Sequence, residues 1–397
     1  MIAALTKRML TEIEPRLLRK FVYNLGWKGA RAVRRFRRRV KRNEYFPAFL
    51  FISVTNRCNL RCQGCWVSAT DPARELDCEA LDRVVNAAKR QGVTFFGILG
   101  GEPLLHRGLF EFLAHHPDCY FVLFTNGLLL TAETTERMRQ LGNVSPLVSI
   151  EGFEQVSDTR RGGTHVYERA LAGLAECRRH RLVTGVASSI CQSNFDELVS
   201  DRFVDDCIGR GVHHLWYYIY RPVGPMPAPE LALNAEQVVQ LRRFLVGVRC
   251  RKPIIVVDAY WDHAGRAMCP AVLGIAYHIG PGGDVEPCPP IQIAADTVLN
   301  GHKLRDTFAN SKFLADFRAA AGGATRGCVL LERPDLLLAL LNANGAKDSS
   351  GRDTVQAELA RMSPRSSHDL PGREIPEQSW FYRFAKKNCF FGLGAYG

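Results

Sequence analysis

The sequence predicts an α/β fold: a partial (β/α)6 barrel, preceded by a basic helical segment and followed by a smaller α+β domain. Three observations predict it. From residue 48, short apolar or β-branched runs alternate with amphipathic helical stretches, which implies a parallel sheet with crossover helices. The links are short, and right-handed crossovers curve such a sheet into an open barrel. Beyond the last unit, Gly280 to Gly283 lies between β-like segments and reads as a hairpin outside that alternation.

Residues 1–46 come first. Ile2, Leu5, Met9, Ile13, Leu17, Leu18, Phe21 and Val22 recur at helical spacing, and the densest run of positive charge lies over Arg31 to Arg42. The barrel is expected over 47–225. Its strands fall at 48–54, 94–99, 120–125, 145–150, 182–190 and 213–220, with helices at 77–91, 107–115, 131–141, 164–180 and 194–210. A bridge at 226–268 holds a helical stretch near 235–249 and a strand-like run ending at Val257. The second unit spans 269–342, with a helix around 303–320. Residues 343–379, rich in Ser, Gly, Pro and charge, read as a flexible linker. The tail, 380–397, carries Trp380, Phe381, Tyr382, Phe384, Phe390, Phe391 and Tyr396; leaving so many aromatics in water is costly, so it is expected to dock.

The chain has 397 residues, 46% of them hydrophobic and 23% charged, which fits a protein with a sizeable core. Thirteen cysteines, an odd number, and no signal-peptide pattern point to the reducing cytoplasm, where clustered cysteines are metal ligands before disulfides. No apolar run reaches membrane-spanning length. The net charge of +12 is concentrated in residues 1–46, which hold 14 Lys and Arg against 3 Glu. A basic amphipathic helix can lie on anionic lipid, giving a peripheral contact at the inner membrane surface through residues 1–43. It can equally pack on the barrel with its charges in water. No aromatic platform or RNA module accompanies the charge, so no specific nucleic acid is expected.

The chemistry is concentrated in Thr55-Asn56-Arg57-Cys58-Asn59-Leu60-Arg61-Cys62-Gln63-Gly64-Cys65-Trp66, just after the first strand. Three thiolates spaced Cys-x3-Cys-x2-Cys can hold three irons of a [4Fe–4S] cubane and leave the fourth iron open. A structural zinc site instead pairs two cysteine units and closes all four positions.

This spacing after a first strand resembles the signature of the radical SAM (S-adenosylmethionine) enzymes. Further matches follow in order: Gly100-Gly101-Glu102-Pro103, Thr125-Asn126-Gly127, Ser149-Ile150-Glu151-Gly152 and Arg160-Arg161-Gly162, each at or just beyond a strand end or before a helix. The resemblance implies a six-unit barrel with its active groups at the C-terminal strand ends. It also implies a cluster on Cys58, Cys62 and Cys65 whose open iron binds S-adenosylmethionine. One electron then releases methionine and a 5′-deoxyadenosyl radical. Gly100, Gly101 and Glu102 would meet the methionine amino group. Ser149 and Glu151 would meet ribose or carboxylate, with Glu where the family more often has Asp. Asn126 and one of Arg160 or Arg161 are further cofactor candidates.

In the second unit, Cys269, Cys288 and Cys328 resemble the start of a SPASM or twitch extension. They imply one auxiliary [4Fe–4S] cluster, with Cys389, Cys250 or an open position as fourth ligand. Val329-Leu330-Leu331 stands where a complete SPASM pattern adds cysteines, which argues against two. The alternative is that these cysteines simply pack as small hydrophobes, the role expected for Cys78, Cys119, Cys177, Cys191 and Cys207. His213, His214, Tyr217, Tyr218 and Tyr220 are candidates for the substrate side of the barrel, and Asp258 for a proton acceptor. The expected partners are S-adenosylmethionine, a one-electron donor such as flavodoxin or ferredoxin, and a peptide, cofactor or lipid-like substrate. The competing readings are a non-catalytic iron–sulfur electron carrier and a membrane-surface protein.

Overall fold

The computed structural model describes residues 1–70 and 72–388. The chain opens with α1 (Ile2–Glu12), α2 (Pro15–Phe21), a π-helical stretch (Val22–Lys28) and α3 (Gly29–Val40). The barrel units follow as β1 (Phe49–Ser53), α4 (Cys78–Arg90), β2 (Phe95–Leu99), α5 (Leu109–His115), β3 (Tyr120–Thr125), α6 (Ala132–Leu141) and β4 (Val144–Ser149). They continue with α7 (Glu154–Arg161), α8 (Val166–Arg179), β5 (Gly185–Ile190), α9 (Phe195–Leu198), α10 (Asp201–Gly209) and β6 (His214–Ile219). Several helices start where a side chain satisfies free N–H groups. Asp77 accepts from Ala80 N at the head of α4, Thr131 closes a capping box on α6, and Ser200 caps α10.

The sheet is larger than six strands. After α11 (Ala235–Arg251) come β7 (Ile255–Val257), α12 (Pro270–Leu273), β8 (Ala276–Ile279) and β9 (Val285–Glu286). All join one sheet in the order β7-β6-β5-β4-β3-β2-β1-β8-β9. Every pairing is parallel except β8 with β9. The expected hairpin at Gly280 to Gly283 therefore exists, but it is welded to the barrel. Phe49 pairs with Ala276 and Ile52 with Ile279. A buried chain of side chains reinforces the seam: Ser53 Oγ lies 2.8 Å from His278 Nε2, His278 Nδ1 bonds Glu286, and Glu286 accepts from Ser349 Oγ at 2.6 Å.

The remaining elements are β10 (Ile293–Ala294), α13 (Leu304–Asn310), α14 (Lys312–Ala324), α15 (Val329–Glu332), α16 (Pro334–Ala343), β11 (Lys347–Asp348), α17 (Val355–Arg361) and α18 (Trp380–Asn388). Residues 343–379 are not a flexible linker. Their polar side chains face partners on the body: Arg352 donates to Ser68 Oγ (2.6 Å) and Gln292 Oε1 (3.0 Å), and Ser367 Oγ accepts from Cys328 N (3.0 Å). β11 pairs antiparallel with β10. The tail helix α18 buries Tyr382, whose hydroxyl accepts from Val256 N at 2.9 Å. The aromatic residues Phe390, Phe391 and Tyr396 lie outside the described residues.

The basic N-terminal segment packs on the barrel. Ile13, Leu17, Phe21, Val33 and Phe36 are buried, each contributing about 1.5–3 kcal/mol. Many of its cations serve backbone carbonyls. Arg8 donates to Pro253 O (2.9 Å), Ile208 O (3.2 Å) and Val212 O (3.0 Å), Lys20 to Leu141 O (3.0 Å), Arg39 to Gln91 O (3.3 Å), and Arg16 and Lys28 to Arg139 O and Asp118 O. These acceptors sit at helix C-termini and in the turns entering β2, β3, β4, β6 and β7, where carbonyls lack partners and the helix dipole is negative. The segment thus closes the end of the barrel opposite the C-terminal strand ends. Among the described residues, no helix is long and apolar enough to cross a membrane.

Candidate active site

The three cysteines of the first loop sit directly above the end of β1. Thr55 bridges Glu75, and Asn56 ties the base of the loop: its Oδ1 accepts from Arg74 N (2.9 Å), while its Nδ2 donates to Ser68 O (2.9 Å) and Thr70 Oγ1 (2.8 Å). Cys58, Cys62 and Cys65 are each half-buried. Gly64, with φ of +66°, makes the left-handed turn between the last two, and a Cβ there would run into the Tyr220 ring at 2.7 Å. Burial raises the Cys58 thiol and pushes Cys65 up to about 12, with Cys62 adding to the Cys65 shift. Such thiols stay protonated until a metal deprotonates them. Among the described residues, no three candidate ligands close around a point the size of one ion; a cubane spaces its thiolates more widely than a single ion does.

The glycines after β2 have a clear structural purpose. Gly101 N donates to Thr55 O (2.8 Å) and Glu102 N to Arg57 O (2.7 Å), docking the strand end on the cysteine loop. A Cβ on Gly100 would strike Thr55 O, and one on Gly101 would lie 2.8 Å from Asn56 O. Glu102 departs from its expected role. It is fully buried, and its carboxylate accepts from Leu104 N (3.1 Å), Thr125 Oγ1 (2.8 Å) and Asn126 N (2.7 Å). It therefore braces the β2 and β3 ends from behind and, fully buried, lines neither cavity beside the cysteine loop. Burial raises its pKa to about 6 against the pull of those hydrogen bonds.

The other candidates divide. Asn126 bonds Asn59 Oδ1 at 2.7 Å, linking the β3 end to the loop. Glu151 accepts from Arg161 (2.9 Å) and Ser189 N (3.0 Å), so its carboxylate is already engaged. Of the two arginines, Arg161 faces the cysteines, with Nη1 3.7 Å from Cys62 Sγ. Arg160 turns to Gln63 O (3.0 Å) and the Tyr220 ring, holding the loop from outside the thiols.

Two cavities meet at this loop. The smaller, about 210 Å³, is lined by Cys58, Gly100, Gly101, Asn126, Ser149 and Arg161. The larger, about 340 Å³, shares Cys62, Cys65 and Ser149 with it and is walled by Phe51, Phe124, Trp216 and Tyr218. Cys269, Cys288 and Cys328 line that same larger cavity. The second trio, widely separated in sequence, thus converges in space. Burial raises Cys288 and pushes Cys269 up to about 11. Arg221, which no motif singled out, lies among them and donates from Nε to Cys328 Sγ at 3.0 Å. Its only signal in the sequence is its place just after the sixth strand.

Several expected site residues lie elsewhere. Asp258 is no proton acceptor: it is fully buried in an ion cluster with Arg249, Arg242 (3.7 Å) and Lys386 (3.4 Å), which Glu377 shares. The cations hold its carboxyl far below the ordinary range despite burial. His213 and His214 are buried away from both cavities, and burial lowers each to about 3. Tyr217 bonds Leu198 O (3.1 Å) on the helix side, whereas Tyr218 and Tyr220 do line the larger cavity. Cys250 is exposed on α11 and lines neither cavity, and Cys389 lies outside the described residues. Cys119, Cys177, Cys191 and Cys207 are buried, while Cys78 is only half-buried.

Residues 52–192 match the family model of the Radical SAM superfamily. They are a radical SAM domain. The sporulation killing factor maturation protein SkfB of Bacillus subtilis (strain 168) is 26% identical over 283 residues, covering 68% of this chain. The AdoMet-dependent heme synthase of Methanosarcina barkeri is 28% identical over 178 residues, covering 44%. The chain spans 65% and 51% of the lengths of these two relatives. The crystal structure of Streptococcus suis SuiB bound to precursor peptide SuiA shares the fold, with a TM-score of 0.60 at 16% identity over 73% of this chain and 71% of SuiB. Radical SAM enzymes use a [4Fe–4S] cluster and S-adenosylmethionine. The donor set here fits that pair: three thiols on one loop beside a cavity with glycine backbone, an amide and a hydroxyl.

Proposed function

We propose that the chain is an enzyme that cleaves S-adenosylmethionine reductively at a [4Fe–4S] cluster held by Cys58, Cys62 and Cys65, and modifies a peptide. The observation that carries this reading is the meeting of two cavities at the first trio, with the second trio lining the larger one. When bound, the cluster supplies the electron that splits S-adenosylmethionine into methionine and a hydrogen-abstracting 5′-deoxyadenosyl radical. The chain's own work is positioning and exclusion. Gly100 and Gly101 present backbone at the smaller cavity, where Asn126 and Ser149 offer polar contacts. Arg161, neutralised in part by Glu151, sets positive charge beside Cys62. Phe51, Phe124, Trp216 and Tyr218 keep water from the larger cavity and favour an apolar side chain there.

A peptide substrate is supported by the relative named as a maturation protein, which covers two thirds of this chain. Cys269, Cys288 and Cys328 would hold one auxiliary [4Fe–4S] cluster, and a flavodoxin- or ferredoxin-like donor would supply the electron. An electron carrier without catalysis has no use for the smaller cavity. The test is 5′-deoxyadenosine formation by reduced, anaerobic protein. Wild type is expected to form it and Cys62→Ala to form none; equal formation by both sinks the proposal.

A second reading concerns location. Val22, Tyr23 and Trp27 are each more than half exposed, and Arg19, Arg31, Arg34 and Arg38 are exposed at helical spacing around them. These cations have no carboxylate or carbonyl partner among the described residues. An anionic bilayer satisfies both the aromatic and the basic part of this face. Sedimentation with phosphatidylglycerol vesicles, but not phosphatidylcholine vesicles, is expected and is weakened by Trp27→Glu. Equal sedimentation of the two proteins overturns it.

A further inference from the structure

We propose that Arg221 is the counter-cation of the second cluster, and that its hydrogen bond to Cys328 raises that cluster's reduction potential. This rests on the auxiliary-cluster reading above. Arg221 is half-buried and lines the wall of the larger cavity. Nε donates to Cys328 Sγ (3.0 Å) and Nη1 to Ile219 O (3.1 Å), with the Tyr260 hydroxyl at 3.5 Å. The guanidinium lies over the Tyr260 ring, 5.4 Å from its centroid. His368 and Tyr218 also face it; burial, helped by the positive charge of Arg221, lowers His368 to about 3, so the imidazole is neutral.

No carboxylate pairs with Arg221 among the described residues. Other arginines show the contrast: Arg161 has Glu151 at 2.9 Å, Arg242 has Glu377 at 2.8 Å, and Arg249 has both Asp258 and Glu377. A cation drawn out of bulk water needs a compensating charge or it is expelled. The groups able to supply one here are Cys328, Cys288 and Cys269. Three neutral thiols would leave the charge unbalanced. Three thiolates on a cluster balance it, which also argues against these cysteines as mere packing.

The consequence is a redox one. A hydrogen bond to a ligating sulfur and a nearby positive charge both stabilise the reduced, more negative cluster. Arg221 is therefore a positioning and tuning residue, fixed to the end of β6 by its own backbone.

The test uses full-length protein with Cys58, Cys62 and Cys65 replaced by Ala, so that only the second cluster remains. Iron content and the midpoint potential, followed by EPR, are compared for Arg221, Arg221→Lys and Arg221→Met. The parent is expected to retain about four irons. Arg221→Met is expected to shift the midpoint to lower potential, with Arg221→Lys between the two. Loss of iron in Arg221→Met but not in Arg221→Lys likewise supports the counter-charge. Full iron with an unchanged midpoint in Arg221→Met overturns the proposal, as does loss of iron in both variants alike. Absence of iron from the parent instead defeats the auxiliary-cluster reading itself.

Discussion

Glu102 offers the sharpest separation between a bracing role and a cofactor-binding one. Its pKa is raised from 4.5 to about 6 by burial, a shift equivalent to about 2 kcal/mol. Below about pH 4.5 both folded and unfolded chains carry the proton, and the contribution to stability is complete. As pH rises toward 6 the unfolded chain releases its proton while the folded chain holds it, so that contribution is lost. Glu102→Gln removes this titration. The amide still accepts from Leu104 N and Thr125 Oγ1 but turns a donor toward Asn126 N, at a cost of about 1–3 kcal/mol. The two effects nearly cancel at neutral pH. Urea unfolding of metal-free protein between about pH 4 and about pH 7 should show Glu102→Gln clearly less stable at the acid end. At the neutral end the gap should close to within about 1 kcal/mol. Parallel pH profiles would refute the argument. Weakened S-adenosylmethionine binding with parallel profiles would return Glu102 to the cofactor.

Other perturbations follow from the packing. Gly101→Ala places a methyl against backbone that cannot yield, Arg57 O and Asn56 O. It should lower stability by about 1–3 kcal/mol and reduce iron loading, and full loading at wild-type stability would contradict the docking role. Asp258→Asn should cost about 3–5 kcal/mol by breaking a buried ion cluster, leaving S-adenosylmethionine cleavage by the folded fraction intact. A stable but inactive variant would restore it as a proton acceptor. Arg8→Ala removes a donor from three carbonyls, of which Ile208 O keeps Gly211 N, and should lower stability by about 1.5–3 kcal/mol. The exposed Arg31→Ala should change stability by less than about 0.5 kcal/mol while weakening vesicle binding; the reverse ranking would refute the division between folding and surface cations.

Local patterns were readable in the sequence and long-range partners were not. The third strand, expected at 120–125, runs from Tyr120 to Thr125, because apolar alternation and flanking turn residues are local signals. The pairing of β8 with β1 joins residues more than two hundred positions apart, and nothing local records it. Residues 343–379 have linker composition, yet their serines and arginines have partners on Ser68, Gln292 and Glu286. The N-terminal charge left lipid contact and packing on the barrel equally open, because sequence shows cations but not the backbone carbonyls that receive some of them. The ion cluster around Asp258, a candidate proton acceptor by sequence, was not legible because Glu377 and Lys386 are distant along the chain. The first trio was legible through its spacing. The gathering of Cys269, Cys288 and Cys328 rested on resemblance, and Arg221 had no motif at all.

The most direct test of the central claim is iron and sulfide content with EPR on anaerobically reconstituted protein, with and without S-adenosylmethionine, for wild type and the Cys58/Cys62/Cys65→Ala variant. The account predicts about eight irons falling to about four, with a signal perturbed by S-adenosylmethionine in the wild type alone. Zinc without iron, or a wild-type signal indifferent to S-adenosylmethionine, would contradict it.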